Sequence, residues 1–329
     1  MKNIKFYLIL VILVAIAAIY YFSNSKGSLK LRNVSFAIES TEGITKVQIS
    51  SPTETITLYK EFENWKVNNK YKARDKYVEN LILALNRVVV LSPVSKAEKE
   101  QVASILKADG ILVEVFKKNR TIKKYYVSKP AMNSSKTYMM MPKSDEPFIV
   151  QIPAFKGLLS ELFVIDENYW RNKTIFDYQP QNISNIIVEY PQNEIKSFQV
   201  FNYNDGTFAI QKLSDKTFIK EFNVEKLVRY FTYYQRIAFE DIAKNISQEE
   251  SDSVLQTIPY CVIEVKDLTG DKNKISIYRK PSEKEFDEFG HKIKFDYNFA
   301  YATFNDNREL ITIQYYIFDP LFKEIDYFR

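Results

Sequence analysis

The sequence of this 329-residue chain predicts an α+β protein, in which an N-terminal transmembrane helix precedes two tandem related modules of antiparallel strands with covering helices. Two observations predict this class. One is an uncharged apolar run at residues 6–22, and the other is a pattern of apolar residues that occurs twice in the rest of the chain. In each occurrence, short alternating runs typical of strands precede a stripe with helical spacing.

The apolar run has the length and flanks of a membrane anchor. As a helix, the 17 residues from Phe6 to Phe22 would rise about 26 Å, against a hydrocarbon core of about 30 Å. Lys2 and Lys5 favour a cytoplasmic stub at residues 1–5, although basic residues at 26, 30 and 32 weaken this bias. A cleaved signal peptide is the alternative, but residues 20–25 offer no pattern of small residues for cleavage.

The duplicated pattern begins at Ile44. Strand-like positions recur 139 residues later (183 − 44 = 139), and helix-like positions recur 146 residues later (224 − 78 = 146). The first set pairs Ile44, Val47, Ile49, Pro52 and Ile56 with Ile183, Ile186, Val188, Pro191 and Ile195. The second pairs Val78, Leu81, Ile82, Leu85 and Val88 with Val224, Leu227, Val228, Phe231 and Tyr234. We therefore predict a linker (23–43), module one (44–168), a connecting segment (169–182) and module two (183–329).

Module one is predicted to open with three strands, at 45–51, 55–59 and 65–67. Helices follow at 76–89, where apolar residues recur at helical spacing, and at 97–107, before Asp109-Gly110. The remaining elements are a hairpin with strands at 111–116 and 121–127, strands at 138–141 and 148–152, and a helix at 153–163.

Module two is predicted to repeat this order, with strands at 183–190, 195–202, 208–211, 262–266 and 274–278. Phe208 stands where Trp65 stands in module one, and Asn223 is the expected N-cap of the first helix. The last strands and a closing helix are expected from Phe299 onward. The offset grows to 163 at that helix (318 − 155 = 163), which identifies Ser282–Lys292 as inserted loop material.

The composition argues against several chemistries. One histidine and one cysteine exclude histidine-rich and four-cysteine zinc sites, and His291 has no nucleophile motif nearby. Neither familiar glycine-rich nucleotide-binding pattern occurs, and a net charge of +5 without a basic block gives little support to nucleic-acid binding. We expect no catalytic residue, cofactor or metal. Cys261 is interpreted as a buried apolar residue rather than a reactive thiol.

Two regions differ between the modules and are the candidates for interaction. The insertion contains four carboxylates and the single histidine, namely Glu283, Glu285, Asp287, Glu288 and His291. Such a segment is either a solvated charged loop or a source of oxygen ligands for Ca²⁺. Tyr230 and Tyr233, on the first helix of module two, have no matching apolar position in module one. They are expected to contact the other module, a partner protein or a glycan.

The segment that joins the modules carries a family resemblance. Residues 169–176 read Tyr-Trp-Arg-Asn-Lys-Thr-Ile-Phe and precede the strand pattern at 183–191. With the Trp65 strand and the helix pattern at 78–88, this resembles the repeat-containing bacterial family known as domain of unknown function 4340. The resemblance covers both modules and implies a single-span or exported envelope protein. Some related sequences accompany ABC-type transporters linked to surface motility, and the family implies no catalytic residue.

Together these features favour a membrane-anchored, non-enzymatic scaffold or accessory protein of the bacterial inner membrane, with its body on the periplasmic side. Its expected partners are the membrane, through residues 6–22, and another protein, for which a transport or surface-assembly complex is the candidate. Two alternatives stay open. One is a module that binds a glycan or small molecule between the repeats, and the other is a carboxylate-dependent enzyme acting on envelope glycans.

Overall fold

The computed structural model describes residues 13–15, 34–133, 135–244, 246–286 and 288–329. The chain forms two compact units, divided between Asn172 and Lys173, so the predicted connecting segment contributes to both. Each unit is α+β, with one large antiparallel sheet and few helices. The predicted stub, and most of the predicted anchor and linker, lie outside the described residues. Among those described, no helix is long and apolar enough to cross a membrane.

Unit 1 is built on a nine-stranded sheet with the strand order β4-β3-β2-β1-β6-β7-β8-β9-β5. The strands are β1 (Ile44–Ser50), β2 (Thr55–Glu61), β3 (Asn64–Val67), β4 (Tyr71–Lys72), β5 (Val89–Pro93), β6 (Ile111–Lys117), β7 (Arg120–Val127), β8 (Thr137–Met140) and β9 (Phe148–Gln151). The helices are α1 (Asp75–Arg87), α2 (Lys99–Asp109) and the single turn α3 (Glu167–Trp170).

Unit 2 has an eight-stranded sheet with the order β13-β12-β11-β16-β17-β18-β19-β15, and a separate pair, β10 and β14. The strands are β10 (Thr174–Phe176), β11 (Ile183–Glu189), β12 (Phe198–Asn202), β13 (Phe208–Lys212), β14 (Ile237–Ala238), β15 (Asp241–Ile242), β16 (Cys261–Asp267), β17 (Lys272–Pro281), β18 (Phe295–Phe304) and β19 (Ile311–Gln314). The helices are α4 (Val224–Thr232), α5 (Gln248–Gln256) and α6 (Tyr315–Phe318).

The two large sheets have the same strand order once the two-residue β4 is set aside. In both, a three-strand meander precedes the four later strands, and a short strand from the segment after the first helix, β5 or β15, lies at the far edge. The register is irregular at equivalent places, between Ile44 and Lys46 on β1 and between Ile183 and Asn185 on β11. The units therefore share one topology, including the position of a bulge in the first strand.

The register corrects one member of the predicted repeat. Ile56 on β2 pairs with Ile49 on β1. In unit 2, Val188 stands where Ile49 stands, and its partner is Phe198. Phe198 is thus the counterpart of Ile56. The residue predicted for that place, Ile195, lies in a short 3-10 turn with 76% of its surface exposed, because the chain turns between β11 and β12 before the second strand begins.

Two predicted helices are shorter than expected. Residues 153–163 contain only a 3-10 turn at Leu159–Leu162, and Ala154 adopts a left-handed φ of 64° that interrupts any helix. In unit 2, the four-residue α6 and a 3-10 turn at Ile325–Phe328 replace the closing helix. Leu159, Phe163, Phe318 and Leu321 are nevertheless buried, whereas Phe155 is exposed, so the spacing reflected contact with the core at some positions rather than a continuous helix.

Each unit has its own apolar core, formed between the sheet and its first helix. In unit 1, α1 buries Val78, Leu81 and Leu85, and residues 34–38 add Phe36 and Ile38. Burying an aliphatic or aromatic side chain of this size stabilises a fold by about 1.5–3 kcal/mol. In unit 2, α4 buries Leu227, Tyr230 and Phe231, whereas Val224 and Val228 of the predicted stripe are exposed.

Candidate functional site

The clearest difference between the units is the hairpin formed by β17 and β18. Ile277 pairs with Ala302 in unit 2, at the positions that Val127 and Met139 occupy in unit 1. Residues 278–301 lie between the first pair, but only residues 128–138 lie between the second. The pairing continues to Pro281 and Phe295. Residues 279–298 are called the extended hairpin below, and the predicted insertion, Ser282–Lys292, lies at its tip.

An ion pair fixes the base of the extended hairpin. The Lys280 ammonium lies 3.0 Å from a carboxylate oxygen of Glu283 and 3.0 Å from one of Asp296. Burial works to lower the pKa of Lys280, but these two carboxylates outweigh it and raise the pKa. Burial works to raise the pKa of Asp296, but hydrogen bonds from the backbone amides of Asn298 and Phe299 and from Lys280 lower it. Lys280 and Asp296 therefore both stay charged at neutral pH.

Backbone contacts shape the tip. Phe286 and Lys292 form an isolated bridge, and the Ile293 amide donates to the Glu285 carbonyl at 2.9 Å. Gly290 supplies a left-handed φ of 82° at the turn, a conformation that costs glycine little. The tip is thus held by backbone pairing on both sides of the turn.

Three aromatic side chains are exposed on this hairpin. Phe289 has 84% of its surface exposed, Tyr297 has 71% and Phe286 has 52%. Phe286 and Tyr297 also line a recess of about 450 Å³. The other residues lining it are Ser282, Glu283, Lys284, Glu288, Ile293, Asp296 and Asn298. A recess with apolar walls and a charged rim is suited to side chains of another polypeptide.

The predicted charged residues are distributed around this structure. Glu283 contacts Lys280, and the Glu285 carboxylate lies 4.0 Å from the Lys292 ammonium. Glu288 lines the recess. The imidazole of His291 lies 6.5 Å, centroid to centroid, from the ring of Phe289, a further contact within the tip. Asp287 lies outside the described residues.

Glu283 and Glu285 are two of the carboxylates considered as oxygen ligands for Ca²⁺. Each of them lies beside a lysine rather than beside the other. Within the described part of the chain, no three side chains of the His, Cys, Asp and Glu type gather as they would around a metal ion.

Tyr230 of α4 and Tyr233, which directly follows this helix, lie elsewhere in unit 2. Tyr230 is fully buried, its ring contacts Phe198 and Phe328, and its hydroxyl donates to the Leu321 carbonyl at 2.9 Å. The expectation that Tyr230 offers a contact surface was wrong, because its ring fills the space above the sheet within its own unit. Tyr233 is half-buried, with its ring edge-on to that of Tyr230 at 6.1 Å.

Sequence reasoning identified the charges of the insertion and missed its aromatic residues. Phe286 and Phe289 were visible in the same stretch, and two phenylalanines in a charged surface loop are a signal for binding. Tyr297 could not be found in this way, since it lies in a strand whose outward face is set by the register. Cys261 is fully buried, as predicted.

No family model matches this chain, and no curated protein or solved structure shows significant similarity to it. The resemblance to the bacterial repeat family named above stays a prediction. What the extended hairpin can bind follows from its geometry and chemistry.

Proposed function

We propose that this chain is a membrane-anchored, non-enzymatic scaffold or accessory protein of the bacterial envelope, which binds another protein through the extended hairpin. Residues 6–22 form its single anchor, and its body lies on the periplasmic side of the inner membrane. The partner belongs to a transport or surface-assembly complex. The observation that carries the proposal is the exposure of Phe286, Phe289 and Tyr297 on a hairpin that is much shorter in unit 1.

Exposed phenylalanine rings are costly to keep in water and valuable at an interface. Aromatic residues are enriched among the side chains that dominate binding energy. Transfer of one phenylalanine side chain from water to an apolar contact stabilises a complex by about 1.5–3 kcal/mol. With Phe289 at 84% exposure, most of that free energy is still to be gained.

The base of the extended hairpin supports the same function. Lys280 joins the strand before the tip to Asp296 on the strand after it, and its side chain is only 15% exposed. A binding element held in place before the encounter loses less conformational entropy when the complex forms. Charged groups around the rings, including Lys284 and Glu288, supply a polar rim that resists non-specific aggregation.

The shared topology of the two units supports a tandem repeat in which one copy acquired the binding element. Insertions in repeat proteins map to surface loops, often on the binding face. The strand order of the large sheet recurs in both copies, whereas the extended hairpin occurs in unit 2.

The proposal is tested by photo-crosslinking of the full-length protein in cells. A photoreactive phenylalanine analogue at position 289 is expected to give an adduct of one discrete mass. The matched control is position 62, since Phe62 is 92% exposed on the turn between β2 and β3 of unit 1. Absence of an adduct at positions 289 and 297, or the same adduct at position 62, would contradict the proposal.

A second experiment uses variants. Phe286→Ala combined with Phe289→Ala is expected to reduce the recovery of the crosslinked partner in mild detergent at least tenfold, which corresponds to about 1.4 kcal/mol. Phe62→Ala should leave recovery unchanged.

Protease accessibility reports the side of the membrane on which the body lies. A body that stays protected after the outer barrier is opened would reverse the proposed orientation.

A further inference from the structure

A second surface, in unit 1, differs in charge from its counterpart in unit 2. It is a recess of about 630 Å³ whose walls include Ser35, Lys123, Lys124, Met141 and Lys143. These residues come from β7, from the turn after β8 and from the segment that precedes β1. We call it the lysine recess.

The three lysines of the recess have different surroundings. The Lys123 ammonium donates to the carbonyl of Ser35 at 2.6 Å and contacts its hydroxyl oxygen at 3.0 Å. Burial lowers the pKa of Lys123, although Glu39 opposes this. The Lys124 ammonium lies 2.9 Å from a Glu114 carboxylate oxygen, and the side chain of Lys143 is exposed. Positive charge therefore exceeds negative charge along the wall of the recess.

The register identifies the equivalent residues of unit 2. Glu114 pairs with Lys124 on β6 and β7, just as Glu264 pairs with Lys274 on β16 and β17. Lys143 follows Met139 by the four positions that separate Asp306 from Ala302, and Met139 and Ala302 are equivalent. Lys143 therefore occupies the position of Asp306.

That position is neutralised in unit 2. The Lys274 ammonium lies 3.2 Å from an Asp306 carboxylate oxygen. Asn305 donates to the side-chain oxygen of Asn273, the counterpart of Lys123, at 2.9 Å. Side-chain hydrogen bonds and an ion pair thus satisfy these groups in unit 2, whereas unit 1 replaces the acidic residue by a third lysine. Because Lys124 is paired with Glu114, the ammonium groups of Lys123 and Lys143 give the recess its excess positive charge, which is suited to an anion with several oxygen acceptors.

We infer that the lysine recess binds the phosphate of an anionic phospholipid headgroup and so docks unit 1 on the membrane. This inference rests on the anchor of the proposed function. Ser35 lies 13 residues after Phe22 (35 − 22 = 13), and such a stretch spans at most about 45 Å. The stretch contains Lys26, Lys30 and Arg32, and basic residues next to an anchor are attracted to anionic lipids. The apolar Met141 beside the ammonium groups suits an interfacial site.

The test uses the full-length protein in lipid nanodiscs and a lysine-acylating reagent, read by mass spectrometry. Discs containing phosphatidylglycerol are expected to slow acylation of Lys123, Lys124 and Lys143 about fivefold relative to phosphatidylcholine discs. Lys216, exposed in unit 2, controls for general shielding. Equal rates in the two lipids, or the same slowing at Lys216, would overturn the inference. Inorganic phosphate added to phosphatidylcholine discs should not reproduce the protection, and if it does, the site takes a free anion instead of lipid.

A variant separates the recess from the bulk charge of unit 1. Lys143→Asp installs the residue that unit 2 has at this position, so the fold tolerates it, and the lipid-dependent protection of Lys123 and Lys124 should disappear. Lys136→Asp makes the same change of charge at an exposed site outside the recess and should preserve the protection. Equal loss in both variants would overturn the inference. Failure of the protein to remain in the discs at all would instead contradict the proposed anchor.

Discussion

The hydroxyl of Tyr234 donates a hydrogen bond of 2.6 Å to the hydroxyl of Tyr230 inside the core of unit 2. Tyr230 in turn donates to the carbonyl of Leu321 at 2.9 Å. Both rings are fully buried, and burial raises the pKa of both phenols, so the two hydroxyls stay protonated. The three groups form a directed chain that links α4 to the segment after α6.

Removal of the middle hydroxyl should cost more than removal of the first. Tyr230→Phe leaves the buried Tyr234 hydroxyl without its acceptor and removes one of the two donors to the Leu321 carbonyl, which keeps the Lys323 amide. We therefore expect a loss of about 1.5–3 kcal/mol in the free energy of unfolding of unit 2. Tyr234→Phe leaves Tyr230 with its acceptor and should cost about 0.5–1.5 kcal/mol. Urea unfolding followed by near-ultraviolet circular dichroism measures both. Equal losses in the two variants would show that the order of donation is wrong.

Tyr125 of unit 1 should behave in the opposite way. Its ring is fully buried beside Phe36, and its hydroxyl has no hydrogen-bond partner among the described residues. Tyr125→Phe removes a polar atom that was desolvated without compensation, so the stability of unit 1 should be unchanged or rise by up to about 1 kcal/mol. The fluorescence of Trp65 and Trp170, both in unit 1, reports its unfolding in urea. A loss above about 1 kcal/mol would reveal a bound water on this hydroxyl.

The single cysteine is expected to report the opening of unit 2. Cys261 is fully buried, and burial raises the pKa of its thiol, while a hydrogen bond with Tyr190 opposes this only in part. Thiol reagents react with the thiolate, so native protein should label far more slowly than urea-unfolded protein. Tyr230→Phe should speed the native reaction, because it raises the fraction of open molecules. Rapid labelling of the native wild-type protein would contradict the buried position.

The ion pair at the base of the extended hairpin should make stability depend on pH at both extremes. The folded pKa of Asp296 is lowered, so its contribution is present above the unfolded pKa of about 3.9 and is lost as pH falls through the folded value. The folded pKa of Lys280 is raised, so its contribution is present below about 10.5 and is lost as pH rises through the folded value.

Asp296→Asn should therefore lower the melting temperature of unit 2 between about pH 5 and 10, with a loss near 1 kcal/mol after solvent screening. The difference from wild type should vanish in acid, where both side chains are neutral. Asp306→Asn is the matched control, because its carboxylate is 76% exposed and its ion pair with Lys274 should contribute little. A deficit that persists at about pH 2 would mean that packing, not charge, explains the effect of the first variant.

Local sequence patterns correctly predicted the helices and strands in which buried residues recur at one regular spacing. The helix expected at 76–89 is α1, Asp75–Arg87, and the strand expected at 121–127 is β7, Arg120–Val127. The strand β5 was missed, because its apolar residues continue the helical stripe and become a strand only through pairing with β9. Helix α5 was also missed, although Ser247 and Glu250 form a capping box that its sequence displays.

The site was less predictable than the fold. The acidic character of the insertion is readable in the chain, but the exposure of Tyr297 depends on how far β17 and β18 remain paired. The contrast between Lys143 and Asp306 is likewise visible only once strand register assigns the two residues to equivalent positions. Tyr230 is not an interaction residue because its side chain is fully buried, and composition alone did not predict this burial.

The far-edge position of β5 and β15 has a consequence for folding during synthesis. Val89 pairs with Gln151, 62 positions later (151 − 89 = 62), and Asp241 pairs with Thr312, 71 positions later (312 − 241 = 71). A ribosome that adds about 5–20 residues per second leaves each of these strands unpaired for several seconds. Since β9 precedes the whole of unit 2, the first sheet can close before the second begins. The two sheets have the same strand order, but they are then never incomplete at the same time. A strand of one unit therefore does not meet an unfinished sheet of the other.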